Sequence, residues 1–408
     1  MTQILTSLQT LIPNTNFADL PLFDRTGWKR VRFSDVVENC AETCNPEEAD
    51  LERFIAMEHL EPGSLHIRSW GNVADGTTFT RRCRTGQVLF GKRRAYQRKV
   101  AVAEFDAVVS GDIYVFAPKD SERLLPELLP FLCMSERFFQ HAVGTSAGSL
   151  SPRTNWSSLA TFEFDLPPLD QQRRIADILW AIDEVLVRYK ISLLTAETNL
   201  SVSLASHFNG INNEKNTSLG EISDIRLSGV DKKSIPNENA VKLCNYVDVY
   251  RNRYITEEIQ FMAATAKILE RTRFELRAGD ILITKDSEDP SDIAVPALVS
   301  SDLNNVLCGY HLAMIRPDTS LVDPKYLLFL FRSSIAKSYF ASRAKGITRF
   351  AISLGDIRDF QFRLPPKDVQ RRKSNEFYEA ETLINYLSKH GAVVKTIMML
   401  VINNYFGE

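Results

Sequence analysis

Several features that would indicate a secreted, membrane or zinc-binding protein are scarce or absent in this sequence. The 408 residues include only six cysteines and six histidines, and these do not form the two closely spaced pairs of a zinc finger. Cysteines this sparse predict free thiols and a reducing, cytoplasmic setting. No apolar run approaches the roughly 18 residues that a membrane helix needs, so we expect no membrane span. The opening MTQILTSLQTLIPNTNF has neither the charged start nor the long apolar core of a signal peptide.

A strong net charge is also lacking, but the basic residues are unevenly distributed. The formal net charge is −2. Residues 68–99 nevertheless contain nine lysines and arginines against one acid, and residues 325–349 contain six and no acid. Two separate basic zones predict two local surfaces that attract a polyanion. The alternative is that these basic residues only face the solvent.

The chain contains an internal repeat. Residues 162–174 read FEFDLPPLDQQRR and residues 360–372 read FQFRLPPKDVQRR, with nine of thirteen positions identical at an offset of 198. The repeat predicts two tandem halves, near 1–209 and 210–408. In each copy the FxFxL alternation is typical of a strand, and Pro-Pro ends that strand before a helix begins.

The helix predicted after each Pro-Pro pair carries an apolar residue at alternating gaps of four and three, which is the seam of a coiled coil. Each helix is expected to run for about 35 residues, or roughly 50 Å. The seam positions that we single out are Ile175, Leu179, Ile182, Leu186 and Leu193 in the first helix and Phe377, Ile384, Leu387 and Val394 in the second. Lys373 occupies the position equivalent to Ile175, and Gly391 is expected to weaken the second helix. Two matched seams favour packing of the helices against each other.

The regions that precede the two helices also resemble each other. RTGQVLF (84–90) is similar to RAGDILI (277–283), and both are turn signals followed by a strand-like run. Short helices are expected around 121–142 and 324–344. We therefore predict an α+β fold, in which each region is a domain with a curved, mostly antiparallel sheet.

The chain resembles the specificity subunit of type I restriction–modification systems. The likeness is carried by LPPLDQQRRIADILWAID (166–183) in its twofold repeat, by LFGKRRAYQRKVAVAEFDAVVSGDIYVFAP (89–118) and by GDILITKDSEDPSDIAVPALV (279–299). It implies two target recognition domains, at residues 1–166 and 210–364, and two long helices, at 167–209 and 365–408. The family plan joins these helices in an antiparallel coiled coil and gives the subunit a pseudo-twofold arrangement.

The same resemblance implies a function without catalysis on this chain. Each recognition domain is expected to read one half of a bipartite, asymmetric target in double-stranded DNA, and the helices are expected to set the spacing of the half-sites. The helices would also dock two modification (methyltransferase) subunits, which restriction subunits join. S-adenosylmethionine, ATP and Mg are expected on those partners, and neither a cofactor nor a metal on this chain.

Candidate DNA contacts come from the basic zones and from loops of small hydroxyl residues, because phosphates are bound by Lys/Arg clusters and bases are read by side chains such as arginine. In the first half they are Thr77, Arg81, Lys92, Arg93, Arg94, Tyr96, Arg98, Lys99, Ser149 and Arg153, and in the second half Lys285, His311, Lys345, Thr348 and Arg349. The second half has an acidic stretch, TKDSEDPSD (284–292), where the first has its basic loop. A carboxylate there suits a contact with cytosine N4.

Two other classes of function compete with DNA recognition. A catalytic DNA enzyme is one, either an NTPase or a nuclease. Gly86, Gly91 and Lys92 fit a phosphate-binding loop, but Arg93 stands where that loop needs Ser or Thr. Glu288, Asp289 and Asp292 cluster as a nuclease site would, without a strand pattern that places them around a metal. A coiled-coil scaffold without DNA contact is the other, and the two basic zones argue against it.

Overall fold

The computed structural model describes residues 25–209 and 216–407. They form two compact units: the first holds the described residues up to Lys190 and those from Lys389 onward, and the second holds Ile191–Ser388. Both units are mixed α+β, as predicted. The predicted domain borders stay predictions, since the compact units are defined by packing and each takes part of both long helices. Within the described ranges, no helix combines the length and the apolar character that crossing a membrane requires.

The first unit contains two four-stranded sheets, with strand orders β2-β9-β6-β7 and β4-β3-β8-β5, and a two-stranded pair, β1-β10. Its strands are β1 Lys29–Arg32, β2 Val37–Asn39, β3 Arg53–Ile55, β4 Gly71–Asn72, β5 Arg81–Cys83, β6 Val88–Gly91, β7 Val100–Val102, β8 Ala107–Val109, β9 Ile113–Pro118 and β10 Glu163–Leu166. Its helices are α1 Phe33–Val36, α2 Leu129–Met134, α3 Glu136–Gly144, α4 Trp156–Leu159 and the first part of α5 Leu169–Asn209. The hydrophobic core lies between the first sheet, α2, α3 and the long helices.

The second unit contains a five-stranded sheet of order β12-β20-β16-β18-β14, a three-stranded sheet of order β15-β13-β19, and the pairs β11-β22 and β17-β21. Its strands are β11 Asn216–Ser218, β12 Ser223–Leu227, β13 Asn239–Cys244, β14 Tyr254–Ile255, β15 Met262–Ala266, β16 Ile281–Thr284, β17 Asp286–Ser287, β18 Pro296–Val299, β19 Val306–Cys308, β20 Leu312–Pro317, β21 Phe350–Ala351 and β22 Gln361–Arg363. Its helices are α6 Leu219–Ile222, α7 Tyr246–Arg251, α8 Ile268–Phe274, α9 Pro324–Arg332, α10 Ser334–Arg343, α11 Leu354–Arg358 and the first part of α12 Lys367–Phe406.

The sequence prediction of one curved sheet in each domain is wrong in detail, because each unit divides its strands between several sheets. Most strand pairs are antiparallel, but β3 pairs with β8, β13 with β19 and β14 with β18 in parallel. Parallel pairs join strands that are distant in the sequence, so local alternation does not reveal them. The short helices predicted around 121–142 and 324–344 are each split in two. Ser135 and Ser333 cause the splits, because each side chain accepts a hydrogen bond as the N-cap of the following helix.

The strands of the repeated motif are paired in the same way in both units. β10 is antiparallel to β1, with Val31 opposite Phe164. β22 is antiparallel to β11, with Thr217 opposite Phe362. In each unit the strand that opens the described part therefore pairs with the strand that precedes Pro-Pro.

The two long helices are antiparallel within each unit. In the first unit, Ile175 and Leu179 of early α5 share a core cluster with Met398 and Ile402 of late α12. In the second unit, Leu204 of late α5 shares a cluster with Phe377 of early α12. These contacts confirm the predicted antiparallel coiled coil.

Gly391 does not interrupt α12, which continues to Phe406. A Cβ atom placed at Gly391 would lie 3.6 Å from Cβ of Tyr189, an ordinary contact distance. The glycine therefore lies on the seam that faces α5.

Candidate nucleic-acid interface

In each unit, the residue that follows a central strand forms a backbone hydrogen bond with the residue directly after a hairpin loop, and this loop contains a glycine. We name residues 147–153 the first hairpin loop and residues 345–351 the second hairpin loop. Ala147 and Arg153 exchange two backbone hydrogen bonds, of 3.0 and 2.9 Å, and Lys345 and Ala351 exchange two of the same lengths. The carbonyl of Lys92, after β6, accepts from the N–H of Thr154 at 3.0 Å.

The matching bond in the second unit follows β16. There the N–H of Ile352 donates to the carbonyl of Lys285, also at 3.0 Å. Gly148 and Gly346 have φ values of 109° and 152°, in the region that favours glycine. A Cβ atom at Gly346 would lie 1.9 Å from the carbonyl oxygen of Arg349, so this turn requires glycine.

The tips of both hairpin loops are exposed. Leu150 is 90% exposed and Ile347 is 94% exposed, although both are large apolar residues. Among the predicted contacts, Ser149 lies at the first tip, and Lys345 and Thr348 lie in the second loop, all exposed. Exposed apolar side chains between polar neighbours are common at contacts with base edges and base steps.

A partly buried carboxylate lies beside the first hairpin loop. Asp112 accepts from Nε of Arg153 at 2.8 Å and from Nη1 of Arg93 at 3.3 Å. Burial alone would raise the pKa of Asp112, but the hydrogen bonds and charges of Arg153 and Arg93 lower it overall. The carboxylate therefore stays ionised and holds both guanidinium groups.

A carboxylate also lies beside the second hairpin loop, but it follows β16, whereas Asp112 precedes β9. Asp286 accepts from Nε of Arg349 at 3.0 Å, and Nδ1 of His311 lies 2.9 Å from its Oδ1. The alignment of β6 with β16 makes Asp286 the counterpart of Arg93. His311, directly before β20, then corresponds to Asp112, directly before β9. In the first unit the basic residue follows the central strand and the acidic residue precedes β9. In the second unit the acidic residue follows the central strand and the basic residue precedes β20.

The basic run after β6 is divided between two places. Arg94 donates to Oγ of Ser151 in the first hairpin loop at 3.3 Å, next to Arg93, which donates to the same oxygen at 3.0 Å. Arg98 instead forms a bidentate ion pair with Glu136 of α3, at 2.5 and 2.6 Å.

Further along the run, Lys99 donates to the carbonyl of Met57 at 2.6 Å. Tyr96 is exposed on the short 3-10 turn Ala95–Gln97. Only the first part of the run therefore contacts the hairpin loop.

Two further cations join the first cluster through Tyr114. Nζ of Lys92 lies 4.8 Å from the centre of the Tyr114 ring, and the guanidinium carbon of Arg81 lies 6.0 Å from it. Burial and the charge of Arg81 lower the pKa of Lys92. Thr77 lies outside this cluster, in a loop where its hydroxyl accepts from the N–H of Phe79.

Lys285 is the counterpart of Lys92 in the second unit. Its Nζ lies 4.7 Å from the ring centre of Tyr310 and donates to the carbonyl of Ser228 at 3.1 Å. Burial lowers its pKa. Both units therefore place a partly buried lysine over a tyrosine ring beside the hairpin loop.

The predicted seam residues differ in burial. Ile175, Leu179, Phe377 and Ile384 are buried, whereas Ile182, Leu186, Leu193, Leu387 and Val394 are partly buried. The helices also carry buried acids that the apolar pattern did not reveal. Nε2 of His66 lies 2.7 Å from Oδ2 of Asp183, and Glu381 accepts from Arg253 and Arg332 at 2.5 Å each.

The features that suggested a catalytic enzyme have other local roles. β6 is followed by a 3-10 turn between Arg94 and Arg98, both with positive φ, and not by the helix that a phosphate-binding loop needs. Asp289 binds the N–H and hydroxyl of Ser291, and Asp292 accepts from the hydroxyl of Tyr250. These carboxylates bind separate partners and do not converge on a shared centre.

Comparison with known proteins identifies a family likeness over the first part of the chain. Residues 27–195 match the family described as the type I restriction modification DNA specificity domain. The type I restriction enzyme EcoDI specificity subunit of Escherichia coli is 27% identical over 196 residues, which are 45% of this chain. The match spans 42% of that relative, less than half of its length.

Two solved structures share the fold over almost the whole chain. One comes from work on complex assembly and conformational transition of the type I R-M system, with a TM-score of 0.57 and 19% identity, covering 93% of this chain and 98% of the other. The S subunit of a type I restriction-modification system from M. genitalium has a TM-score of 0.58 and 12% identity, covering 93% and 96%. The predicted fold and the resemblance drawn from the repeated motif are confirmed.

Proposed function

We propose that this chain is the sequence-specific DNA-recognition subunit of a type I restriction–modification complex. Each unit reads one half of a bipartite target in double-stranded DNA through its hairpin loop and the cations around it. The chain itself is non-catalytic. The proposal rests on its likeness to specificity subunits and on one structural observation, the duplicated hairpin loop with its arginine, carboxylate and lysine.

The duplication supports a bipartite target because the two sites have the same backbone and different side chains. The same pair of hydrogen bonds closes both hairpin loops. Arg93 in the first unit is replaced by Asp286 in the second, and Asp112 by His311. Because base edges are distinguished by their donors and acceptors, a reversed arrangement of donor and acceptor groups suits a different half-site. An asymmetric target follows.

The long helices suit the role of a spacer between the half-sites. α5 contains 41 residues and α12 contains 40, and both contribute to both units. Half-site spacing is a geometric property of the element that joins two readers. Helices of this length provide such an element at about 1.5 Å per residue.

The helices also carry apolar side chains at equivalent, solvent-exposed positions. Val185 and Leu383 are one such pair, and Val202 and Leu400 are another, each separated by 198 residues. We assign this surface to two modification subunits, which restriction subunits join. S-adenosylmethionine, ATP and Mg belong to those partners in this scheme, and the sparse cysteines favour the cytoplasm as the location of the complex.

A binding experiment with the full chain tests the proposal. The chain is mixed with a pool of random-sequence duplexes, the bound duplexes are sequenced, and affinity is measured between about 50 and 200 mM salt. We expect two short preferred sequences separated by a fixed number of unspecified positions, and an affinity that falls steeply with salt. Arg188→Ala is the control, because this arginine is exposed on α5 and its ion pair is with Glu184 of the same helix.

Three outcomes would contradict the proposal. A flat salt response without selection would favour the scaffold without DNA contact. Selection of one contiguous sequence would show that the target is not bipartite. Hydrolysis of ATP or of DNA by the isolated chain would favour a catalytic enzyme.

A further inference from the structure

Each hairpin loop holds one half-exposed arginine against a carboxylate that is largely buried. Side-chain exposure is 53% for both Arg153 and Arg349, but only 20% for Asp112 and 11% for Asp286. The two arginines occupy different positions in their loops, Arg153 at the closing pair and Arg349 two residues before it. The two carboxylates lie in different places, Asp112 directly before β9 and Asp286 in β17. The two units therefore form the same kind of arginine–carboxylate pair from residues at different positions.

Both guanidinium groups turn the same edge towards a carboxylate. Arg153 directs Nε and Nη2 to Asp112, at 2.8 and 3.5 Å. Arg349 directs Nε and Nη2 to Oδ1 of Asp286, and its Nη2 also lies 3.2 Å from Nδ1 of His311. In both cases the Nε–Nη2 edge faces the protein, and Nη1 has no hydrogen-bond partner among the described residues. A guanidinium has five N–H donors, so Arg153 keeps three, including two at the Nη1–Nη2 end. Arg349 keeps the same three when Nδ1 of His311 donates to Asp286, because that nitrogen then cannot accept from Nη2.

On the basis of the proposed function, we propose that Arg153 and Arg349 each read one guanine in their half-site, and that Asp112 and Asp286 are the residues that position them. The Nη1–Nη2 end would donate to O6 and N7 of guanine, the pair of acceptors that arginine binds in the major groove. A two-stranded hairpin has a width that this groove admits. The carboxylates act through the arginines and do not themselves touch DNA.

Charge favours a base over a phosphate as the partner of Arg349. Asp286 and Arg349 together carry no formal net charge, so their attraction for a phosphate is weak. A base edge is uncharged and is recognised by direction, which a fixed guanidinium provides. Lys345 and Arg343 are exposed and form no ion pair with a carboxylate among the described side chains, so they suit phosphate binding better.

The test uses the full chain and the random duplex pool, with Arg349→Lys and Asp286→Asn as the main variants. Arg349→Lys keeps the positive charge and removes the planar pair of N–H donors. Asp286→Asn keeps the shape of the side chain and removes its negative charge. We expect each to reduce the preference for guanine about tenfold at one position of one half-site. The other half-site and the salt dependence should not change. Arg153→Lys and Asp112→Asn should do the same in the other half-site.

The outcomes separate this inference from the proposed function. If Arg349→Lys leaves the base preferences intact, and Arg349→Ala weakens all sequences equally while the salt slope falls by about 1, Arg349 is a phosphate contact and the guanine assignment is wrong. Should neither variant change any preference, the assignment is also wrong, while DNA recognition stands. If the unchanged chain selects no sequence, the proposed function itself fails.

Folding of the variants is followed by thermal unfolding. If Asp286→Asn unfolds, Arg349→Lys still tests the guanine assignment. Residue 349 is half exposed and keeps its charge in this variant, so the fold should be retained. A merely structural role for Asp286 would lower stability without a loss confined to one base position.

Discussion

Gln172 and Gln370, which are 198 residues apart, make the same set of hydrogen bonds at the beginning of the two long helices. Gln172 donates to the carbonyls of Pro167 and Arg123, at 2.9 and 2.8 Å, and accepts from the N–H of Leu125 at 2.9 Å. Gln370 donates to the carbonyls of Pro365 and Leu321, at 2.7 and 3.2 Å, and accepts from the N–H of Asp323 at 2.8 Å. Both side chains are 1% exposed. The glutamine of the repeated motif therefore joins each helix to the loop before α2 or α9.

Replacing this glutamine should destabilise the unit to which it belongs. Gln172→Ala removes all three bonds, of which the one to Pro167 is buried and the ones to Arg123 and Leu125 are partly buried. Unsatisfied buried groups of this kind cost about 1–3 kcal/mol each, so we expect the free energy of unfolding to fall by about 3 kcal/mol, measured by urea denaturation. Gln140→Ala is the control, since Gln140 is exposed on α3. Equal effects of the two changes would contradict the role of Gln172.

The sequence reveals the repeat and the two helices because their signals are local. Periodicity, Pro-Pro and the shared glutamine all lie within short segments. The bonds that Gln172 makes to residues 123 and 125 lie outside that segment. Likewise, the sequence marks Arg153 and Arg349 as basic loop residues, but not the carboxylates that hold them. Arg349 and Asp286 are 63 positions apart, and only the sheet brings them together.

The candidate site shows the same limit in its basic run. From the sequence, Lys92 to Lys99 form one cluster of charge. In the structure, Arg98 binds Glu136 and Lys99 binds the carbonyl of Met57, away from the hairpin loop. Charge patterns indicate a basic zone, but the direction of each side chain depends on tertiary contacts.

His66 should make stability depend on pH. It lies between Asp183 of α5 and Glu104, with 2.7 Å to each, and the hydrogen bond with Asp183 is the main cause that raises its pKa to about 8. The ordinary pKa in an unfolded chain is about 6.5. Since the folded value is the higher one, this contribution is complete below about pH 6.5 and is lost as the pH rises through about 8.

His66→Gln tests this dependence. The free energy of unfolding should be lower for His66→Gln than for the unchanged chain at pH 6, and the difference should shrink by pH 9. Solvent screens this partly exposed site, so the effect at pH 6 should be at most about 1 kcal/mol. His59→Gln serves as a second histidine that lacks these two acids. A difference that stays constant from pH 6 to pH 9 would rule out the charged bridge.

Glu381 is the counterpart of Asp183 in α12, and its loss should be more damaging. It is 1% exposed and accepts from Arg253, Arg332 and the hydroxyl of Tyr254. Glu381→Gln would leave Arg332 without its charge partner in a largely buried place. Breaking a buried ion pair costs about 3–5 kcal/mol, which urea denaturation would detect. Glu379→Gln, on the exposed side of the same helix, should change stability by less than about 0.5 kcal/mol. A similar, small effect of both changes would show that the Glu381 network adds little.

Lengthening both helices should change the spacing between the half-sites. The contact of Tyr189 with Gly391 places Tyr386 near the level of Leu194 in the antiparallel seam. One heptad inserted after Leu194 and another after Tyr386 would preserve the seam, because its apolar pattern repeats every seven residues. Seven residues add about 10 Å of helix. This length corresponds to about three base pairs at 3.4 Å each.

Selection from the random duplex pool measures the result. We expect both half-sites to be retained and the unspecified stretch between them to grow by about three base pairs. An insertion in α5 alone is the matched comparison, because it breaks the pairing of the two seams and should abolish selection of a bipartite target. Unchanged spacing in the double insertion would show that the helices do not set the distance, even if both half-sites are still read.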